Sequence, residues 1–393
     1  MKTNPNYFHY LPTRILFGEG SLNELHAQPM PGRKALIVLS NGRSTRDNGY
    51  LARTEEQLHR AGVETALFDG ATPNPTVADV EAGTAAARGC GADFLVALGG
   101  GSVMDCAKGI AVLATNEGTL WDYVAVGSGK GRPIVRRPLP IVAVTTTAGT
   151  GSEADAGGVI TKEDTHEKAF VQDPSLFPVL SIVDSELMRT VPPRLTAFQG
   201  FDALLHSVEG FVSTGANLAS DMYAREAIRN IAEYLPRAVR QGDDREARTR
   251  VAFANTLSGF VMTLTRLTSE HALEHALSAY HPELPHGAGL ILICRAYFDY
   301  FVRNHGCDDR FVELARLLGM AEASRPEAFV EALDRLLKAC GAADLKMSDY
   351  GITPDEFPTF ARNAREVMGV LFEGDRVPLS EEAIVGIYAE SYR

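Results

Sequence analysis

Cysteine is scarce and unpatterned in this chain: Cys90, Cys106, Cys294, Cys307 and Cys340 make five among 393 residues, with no C-x-x-C spacing. An odd, scattered set excludes a disulfide framework and a cysteine zinc site, and leaves reduced thiols in packing roles. Long hydrophobic runs are missing as well. No stretch reaches about 18 uninterrupted apolar residues, so no membrane span is expected. The opening MKTNPNYFHYLPTR has no apolar segment after its basic residue, which reads as a cytoplasmic chain without a secretory leader. Positive charge is in deficit, with 38 Lys+Arg against 50 Asp+Glu and a formal charge of -12. That balance opposes nonspecific attraction to nucleic acid or to an anionic membrane. There is no internal repeat and no low-complexity tract.

What is present is the composition of a globular protein, 45% hydrophobic and 22% charged, which rules out a disordered or collagen-like chain. At roughly 150 residues per domain, two domains are the default. Short apolar or β-branched runs, Ala35–Leu39, Val63–Phe68, Phe94–Leu98 and Ile141–Val144, alternate with helically spaced segments such as Tyr50–Ala61 and Val77–Arg88. Strands alternating with helices predict a doubly wound parallel sheet, an α/β domain. Beyond Pro192 the strand-like runs stop, and Thr196–Ser213, Met222–Leu235, Glu246–Leu264 and Pro326–Cys340 read as helices. An α/β domain over 1–190 and an all-α domain over 191–393 are therefore expected, divided where Val191-Pro192-Pro193 denies a helix its donors.

Two loops follow predicted strands. Gly99-Gly100-Gly101-Ser102 stands where a buried strand meets a helix expected from Val103, with Ser102 as its N-cap. Glycines let a ligand approach the backbone, and free N–H groups at a helix start suit a diphosphate. A plain strand-to-helix turn uses the same residues. The second loop, Thr145 to Glu153, reads TTTAGTGSE. Both loops follow strands of one sheet, so both open on the side where parallel sheets bind nucleotides.

Histidine is clustered. Ten in the chain predict on the order of 0.4 in a sixteen-residue window, yet His271, His275, His281 and His286 fall in one. H-A-L-E-H sets His271 and His275 on one helix face, and Asp202 and His206 form another i, i+4 pair,. Singly, such histidines are more often core or surface residues. Together, one carboxylate and several imidazoles without thiolates suit Zn²⁺ or Fe²⁺ rather than Mg²⁺ or Ca²⁺.

GGGSVMDCAK at 99–108, TTTAGTGSE at 145–153, GFDALLHSVEGFVS at 200–213 and HALEHALSAYHPELPHGAGL at 271–290 stand in order along the chain. In these motifs the sequence resembles the iron-containing, or group III, alcohol dehydrogenases. The LEHALSAY…HGAGL stretch and NGRSTRDNGY at 41–50 are most similar to its butanol dehydrogenase and broad-range aldehyde reductase branch. The resemblance implies an N-terminal dinucleotide-binding domain, a helical metal-binding domain with the active site in the cleft between them, and an assembly of at least two copies. It implies Asp202, His206, His271 and His286 as metal ligands, with iron favoured and zinc the alternative. His275 matches a histidine near the substrate, and Lys168 a lysine that reaches the nicotinamide ribose; these two are the expected proton-relay residues. Gly99, Gly100, Gly101 and Ser102 match the diphosphate loop, while Thr146, Thr147 and Thr150 match cofactor contacts. The implied reaction is hydride transfer between NAD(P)(H) and a small alcohol or aldehyde. A dehydroquinate-synthase-like lyase is the rival on this architecture, but Ala156 to Thr161 has no lysine after its glycines.

Two expectations come from the residues themselves. The strand Ala35–Leu39 runs into Ser40-Asn41-Gly42-Arg43 with no carboxylate before Asp47 and with Arg46 nearby. Ser40 is therefore expected at the ribose, and NADP is favoured over NAD. Arg266 precedes His271 by five residues, which at about 100° each puts it some 140° around a continuous helix. A surface pair with Glu270 is expected, and with it a neutral substrate of short to medium chain length. In the alternative, the helix begins near Ser269 and frees Arg266 to bind an anionic aldehyde.

Overall fold

A computed structural model describes residues 4–393. They divide into two compact units, one spanning Leu11–Thr190 and the other Val191–Arg393 with the residues up to Tyr10. The first residues had been expected in the α/β part. They group with the helices instead because Asn4 forms a backbone bridge with Asn217 and the His9 ring meets Tyr223.

The first unit is built on a parallel sheet of six strands: β1 (Arg14–Phe17), β2 (Lys34–Ser40), β3 (Glu64–Ala71), β4 (Phe94–Gly99), β5 (Ile141–Thr145) and β8 (Leu180–Val183). Their order is β1-β8-β5-β4-β2-β3. A separate antiparallel hairpin joins β6 (Gly157–Lys162) to β7 (Glu167–Gln172). The four expected strands are present. Within the sheet the strands not foreseen, β1 and β8, are four residues each, too short for alternation to show; the hairpin strands β6 and β7 were not foreseen either. Helices α1 (Ser44–Asp47), α2 (Tyr50–Arg60), α3 (Val77–Cys90) and α4 (Gly101–Thr115) connect the strands. Ile37, Leu39, Val96, Leu98 and Val144 pack with Tyr50, Leu51 and Leu58 of α2 on one face. Residues of opposite parity, Leu36, Val38, Leu95 and Ala97, are buried as well, as a sheet covered on both sides requires.

The second unit is helical: α5 (Pro193–Val212), α6 (Leu218–Arg240), α7 (Arg245–Leu264), α8 (Glu270–Tyr280), α9 (His286–Arg303), α10 (Asp308–Leu317), α11 (Ala328–Ala339), α12 (Phe357–Met368) and α13 (Glu381–Ser391). Pro192 is extended at the N-cap of α5 and Pro193 opens it, where a missing N–H costs nothing. Every position from Thr196 to Val212 except Gln199 is buried, Asp202, His206 and Glu209 among them. Apolar residues need no comment there; buried polar ones do. The start of α9 lies hard against α5, since a Cβ on Gly287 would stand 2.2 Å from the Phe198 carbonyl oxygen. Glycine at 287 thus lets His286 approach the helix that carries Asp202.

Helix α8 begins at Glu270, so Arg266 lies on the preceding loop. Its guanidinium pairs with Glu373 rather than with Glu270, which corrects the expected helix-surface pair. The chain leaves helical geometry at Thr265, which is extended, so Arg266 and Glu270 never share a helix face. Among the described residues no helix is long and apolar enough to cross a membrane.

Candidate active site and metal centre

Three helices converge on one carboxylate oxygen. His206 Nδ1, one turn along α5, lies 3.2 Å from Asp202 Oδ1. His271 Nε2 from α8 lies 3.5 Å from the same atom, and His286 Nε2 from the start of α9 lies 3.6 Å away. The His206 and His271 rings stack with centroids 4.1 Å apart. Asp202, His271 and His286 can each offer a ligand atom, all within 4.8 Å of one another. His275 falls outside that trio, with its ring 5.6 Å from that of His286.

The chemistry of this donor set fits a divalent cation. Asp202 Oδ1 and His271 Nε2 are buried and neither makes a hydrogen bond to a described residue, an arrangement that costs free energy unless something positive sits between them. Burial would raise the Asp202 carboxyl, but His206, His286 and His271 outweigh it and hold it near 2. The carboxylate is therefore charged and ready to bind a metal.

Two residues passed over in the sequence complete the centre. His271 Nδ1 donates a short hydrogen bond to Glu209, and His286 Nδ1 donates one to Glu274. Both carboxylates are fully buried. A carboxylate on Nδ1 fixes the ring orientation and leaves Nε2 facing Asp202 Oδ1, the disposition that metal-ligating histidines use. Helical spacing held the signal: Glu209 follows His206 by three and Glu274 follows His271 by three. Burial would lower the His271 pKa, yet Glu209 and Asp202 carry it up to about 10, another sign that the pocket calls for positive charge.

In the α/β unit, β2 and β4 are neighbours whose chains lead to β3 on one side and β5 on the other. Their carboxyl ends flank the switch point where such sheets bind ligands. Gly99 ends β4, and Gly100 caps α4 with Gly101 and Ser102 in its first turn. The helix starts two residues before the expected Val103 and no side chain caps it, so Ser102 is not the N-cap. Extended Gly100 takes that place. The threonine loop packs directly on this turn: a Cβ on Gly100 would meet Thr147 at 2.8 Å, and one on Gly101 would meet Thr150 at 2.3 Å. Thr146 N donates to the Gly99 carbonyl at 3.0 Å. Ser40 ends β2 beside Ala71. Lys168, on β7, donates to Asn74 Oδ1 at 3.1 Å.

The chain matches the family model for "Iron-containing alcohol dehydrogenase" over residues 12–185 and "Fe-containing alcohol dehydrogenase family, C-terminal" over 196–392. It belongs to the iron-containing alcohol dehydrogenase family. The chain is 34% identical to a 1,3-propanediol dehydrogenase of Klebsiella pneumoniae, covering 98% of this chain and 99% of the relative. It is 31% identical to NADH-dependent butanol dehydrogenase B of Clostridium acetobutylicum, covering 98% and 99%. The crystal structure of an archaeal alcohol dehydrogenase from a Red Sea brine pool superposes with a TM-score of 0.94 at 33% identity, covering 99% of this chain and all of the other. Like these iron-containing dehydrogenases, the chain is an oxidoreductase acting on CH–OH groups.

In this family member the two loops share a buried anchor inside the GGGSVMDCAK motif. Lys108 is fully buried. Its ammonium donates to Ser152 O at 2.9 Å, Ser152 Oγ and Asp155 Oδ1 at 2.8 Å, and Gly157 O at 2.6 Å. Ser152 Oγ in turn donates to Asp105 at 2.8 Å. One ammonium thus serves two carboxylates, and burial, partly offset by Lys108, raises the Asp105 carboxyl to about 6. The folded protein keeps a proton there that the unfolded chain releases near its ordinary value of 3.8. This contribution to stability is present below about pH 4 and is lost as pH rises through about 6. Asp105→Asn cannot ionise, so its urea midpoint should gain on the wild type by the equivalent of about 1–3 kcal/mol between pH 4 and pH 7.5. Parallel midpoint profiles for the two proteins would show that Asp105 ionises normally.

Proposed function

We propose that Asp202, His206, His271 and His286 hold one divalent ion, iron or zinc, and that the enzyme uses it to interconvert a small alcohol and its aldehyde with a nicotinamide cofactor. The convergence of three helices on Asp202 Oδ1, with two of the imidazoles backed by buried carboxylates, carries this reading. Such an ion supplies Lewis acidity at the substrate oxygen, and the nicotinamide supplies or accepts the hydride. The chain does the rest. Asp202 contributes the one full negative charge to the ligand set, while Glu209 and Glu274 accept from Nδ1 of His271 and His286 and leave each Nε2 aimed inward, where an ion would replace the proton that His271 otherwise carries. His275, its ring 5.6 Å from that of His286, moves the proton between the substrate oxygen and solvent. Lys168 Nζ holds the ribose hydroxyls of the nicotinamide half. The first turn of α4 and the threonine loop, with Gly99, Gly100, Gly101, Ser102, Thr146, Thr147 and Thr150, hold the diphosphate, where backbone N–H groups and the helix dipole favour negative charge.

Losing one of four ligands cuts metal affinity steeply. His271→Ala and His286→Ala should each emerge from dialysis with little metal and little activity, measured by elemental analysis beside the rate. Full metal and full rate in both would end this reading.

For the cofactor, NAD is the better fit. Of the two arginines that favoured NADP, Arg43 is paired with Asp47 at 3.4 Å and Arg46 with Asp69 at 2.6 Å. The carboxylates at this end of β2 and β3 offset the charge that a 2′-phosphate needs. The expected kcat/KM is higher with NADH than with NADPH, and Asp69→Ala should move the ratio several-fold towards NADPH. A wild-type preference for NADPH would restore the original expectation.

The substrate is a neutral alcohol or aldehyde of short to medium chain length. Arg266 lies on a loop, as the anionic alternative requires, but Glu373 already holds its guanidinium. Arg266→Ala should leave the ratio of kcat/KM for an anionic over a neutral aldehyde within about threefold of wild type. A tenfold selective loss with the anionic aldehyde would favour the alternative.

A further inference from the structure

The turn Glu373–Arg376 is far along the chain from every metal ligand, yet it is bonded to the helices that carry them. At the end of α5, Arg376 donates from Nε to Val212 O and from Nη2 to Ser213 O, both at 2.7 Å. Thr214 N and Oγ1 donate back to Gly374 O and Glu373 O at 2.9 Å. Helix ends expose carbonyls without intrahelical partners, and an arginine there satisfies them while opposing the dipole.

Asp375 reaches the other helices. Its Oδ1 accepts from Ser269 N at 2.9 Å and its Oδ2 from Ser269 Oγ at 2.7 Å. The Tyr297 hydroxyl of α9 donates to the same Oδ1 at 3.2 Å. Ser269 is the N-cap residue of α8, but its side chain does not cap that helix; the hydroxyl goes to Asp375. The helix entry is thus fixed from outside. The residue before it is tied as well, because Thr268 Oγ1 donates to Glu209 Oε2 at 3.0 Å, and Glu209 also accepts a hydrogen bond from His271 Nδ1. His271 follows Ser269 by two residues.

We infer that Asp375 is a positioning residue of the metal centre: its two bonds to Ser269 set the start of α8 so that His271 is delivered against Asp202. The inference rests on the ligand assignment above. It differs from a purely structural tie between α5 and α8, which would change stability and leave metal binding alone.

The test is Co²⁺ titration of the metal-free full-length enzyme, read as Kd and as the visible d–d absorption bands, well below the unfolding temperature. Asp375→Ala should raise Kd roughly tenfold, the lower range for groups that orient metal ligands, and should shift the bands. Asp375→Asn should return both close to wild type, because its amide oxygen can accept from Ser269 N while its NH₂ donates to Ser269 Oγ. Wild-type Kd and bands in Asp375→Ala would overturn the inference, whatever happens to its melting temperature. His271→Ala separates the two readings: if it binds Co²⁺ like wild type, the ligand assignment fails, and if it loses Co²⁺ while Asp375→Ala does not, only the inference about Asp375 fails. Should Asp375→Ala not fold, Ser269→Ala removes the Oγ bond to Asp375, with the 3.1 Å contact to the Tyr297 hydroxyl, and keeps the backbone bond from Ser269 N. A several-fold rise in its Kd supports the inference, and an unchanged Kd overturns it.

Discussion

A carboxylate buried as deeply as Asp202, 4% exposed, is tolerable only where positive charge replaces the water it has lost. Three imidazoles face it from three helices, and α8 and α9 are both held so that their histidines meet α5 at that point. The imidazoles do not settle the charge by themselves. Glu209 and Glu274 accept hydrogen bonds from Nδ1 of His271 and His286, which adds two buried carboxylates to Asp202 around the same rings. On the proposed ligand assignment a divalent ion would add the positive charge, and the arrangement that would burden an ordinary helical core would become the binding energy of a cofactor.

The α/β unit meets a related constraint with a cation of its own. Lys108 is buried among Ser152, Asp155 and Gly157, and its four bonds join α4 to the loop that lies over the glycine turn. There the positive charge is covalently part of the chain and its work is to hold two loops at a fixed spacing. In the helical unit the charge is left for a ligand to bring, and Lewis acidity comes with it. On the proposed reading the two sites divide the chemistry: backbone N–H groups and hydroxyls for a diphosphate, a carboxylate with imidazoles for a metal.

Charge pairing also limits what the enzyme recognises. Arg43, Arg46 and Arg266 were the cations with the potential to draw a phosphate or an anionic substrate, and each stands against a carboxylate. Exposed pairs of this kind add little stability. On the proposed reading their effect is on specificity, since a ligand anion would have to displace a carboxylate already in place.

Local order was legible in the amino acids alone. The switch from strand-and-helix alternation to continuous helical periodicity past Pro192 foretold a parallel sheet followed by helices, and i, i+4 spacing put Asp202 with His206 and His271 with His275. Glycines at 99–101 and the threonine run marked the ends of β4 and β5. Periodicity reports which face of an element is buried, but not which element comes to lie opposite. Glu209 and Glu274 therefore went unremarked in the sequence, and packing buries them against histidines of other helices. Only the tertiary structure paired Arg266 with Glu373, placed Asp375 on Ser269, enclosed Lys108, and added β1 and β8, whose four residues carry too little alternation to announce a strand. These contacts join residues far apart in the chain, and their energies depend on burial and on the angle at which helices cross, neither of which any local stretch of sequence contains.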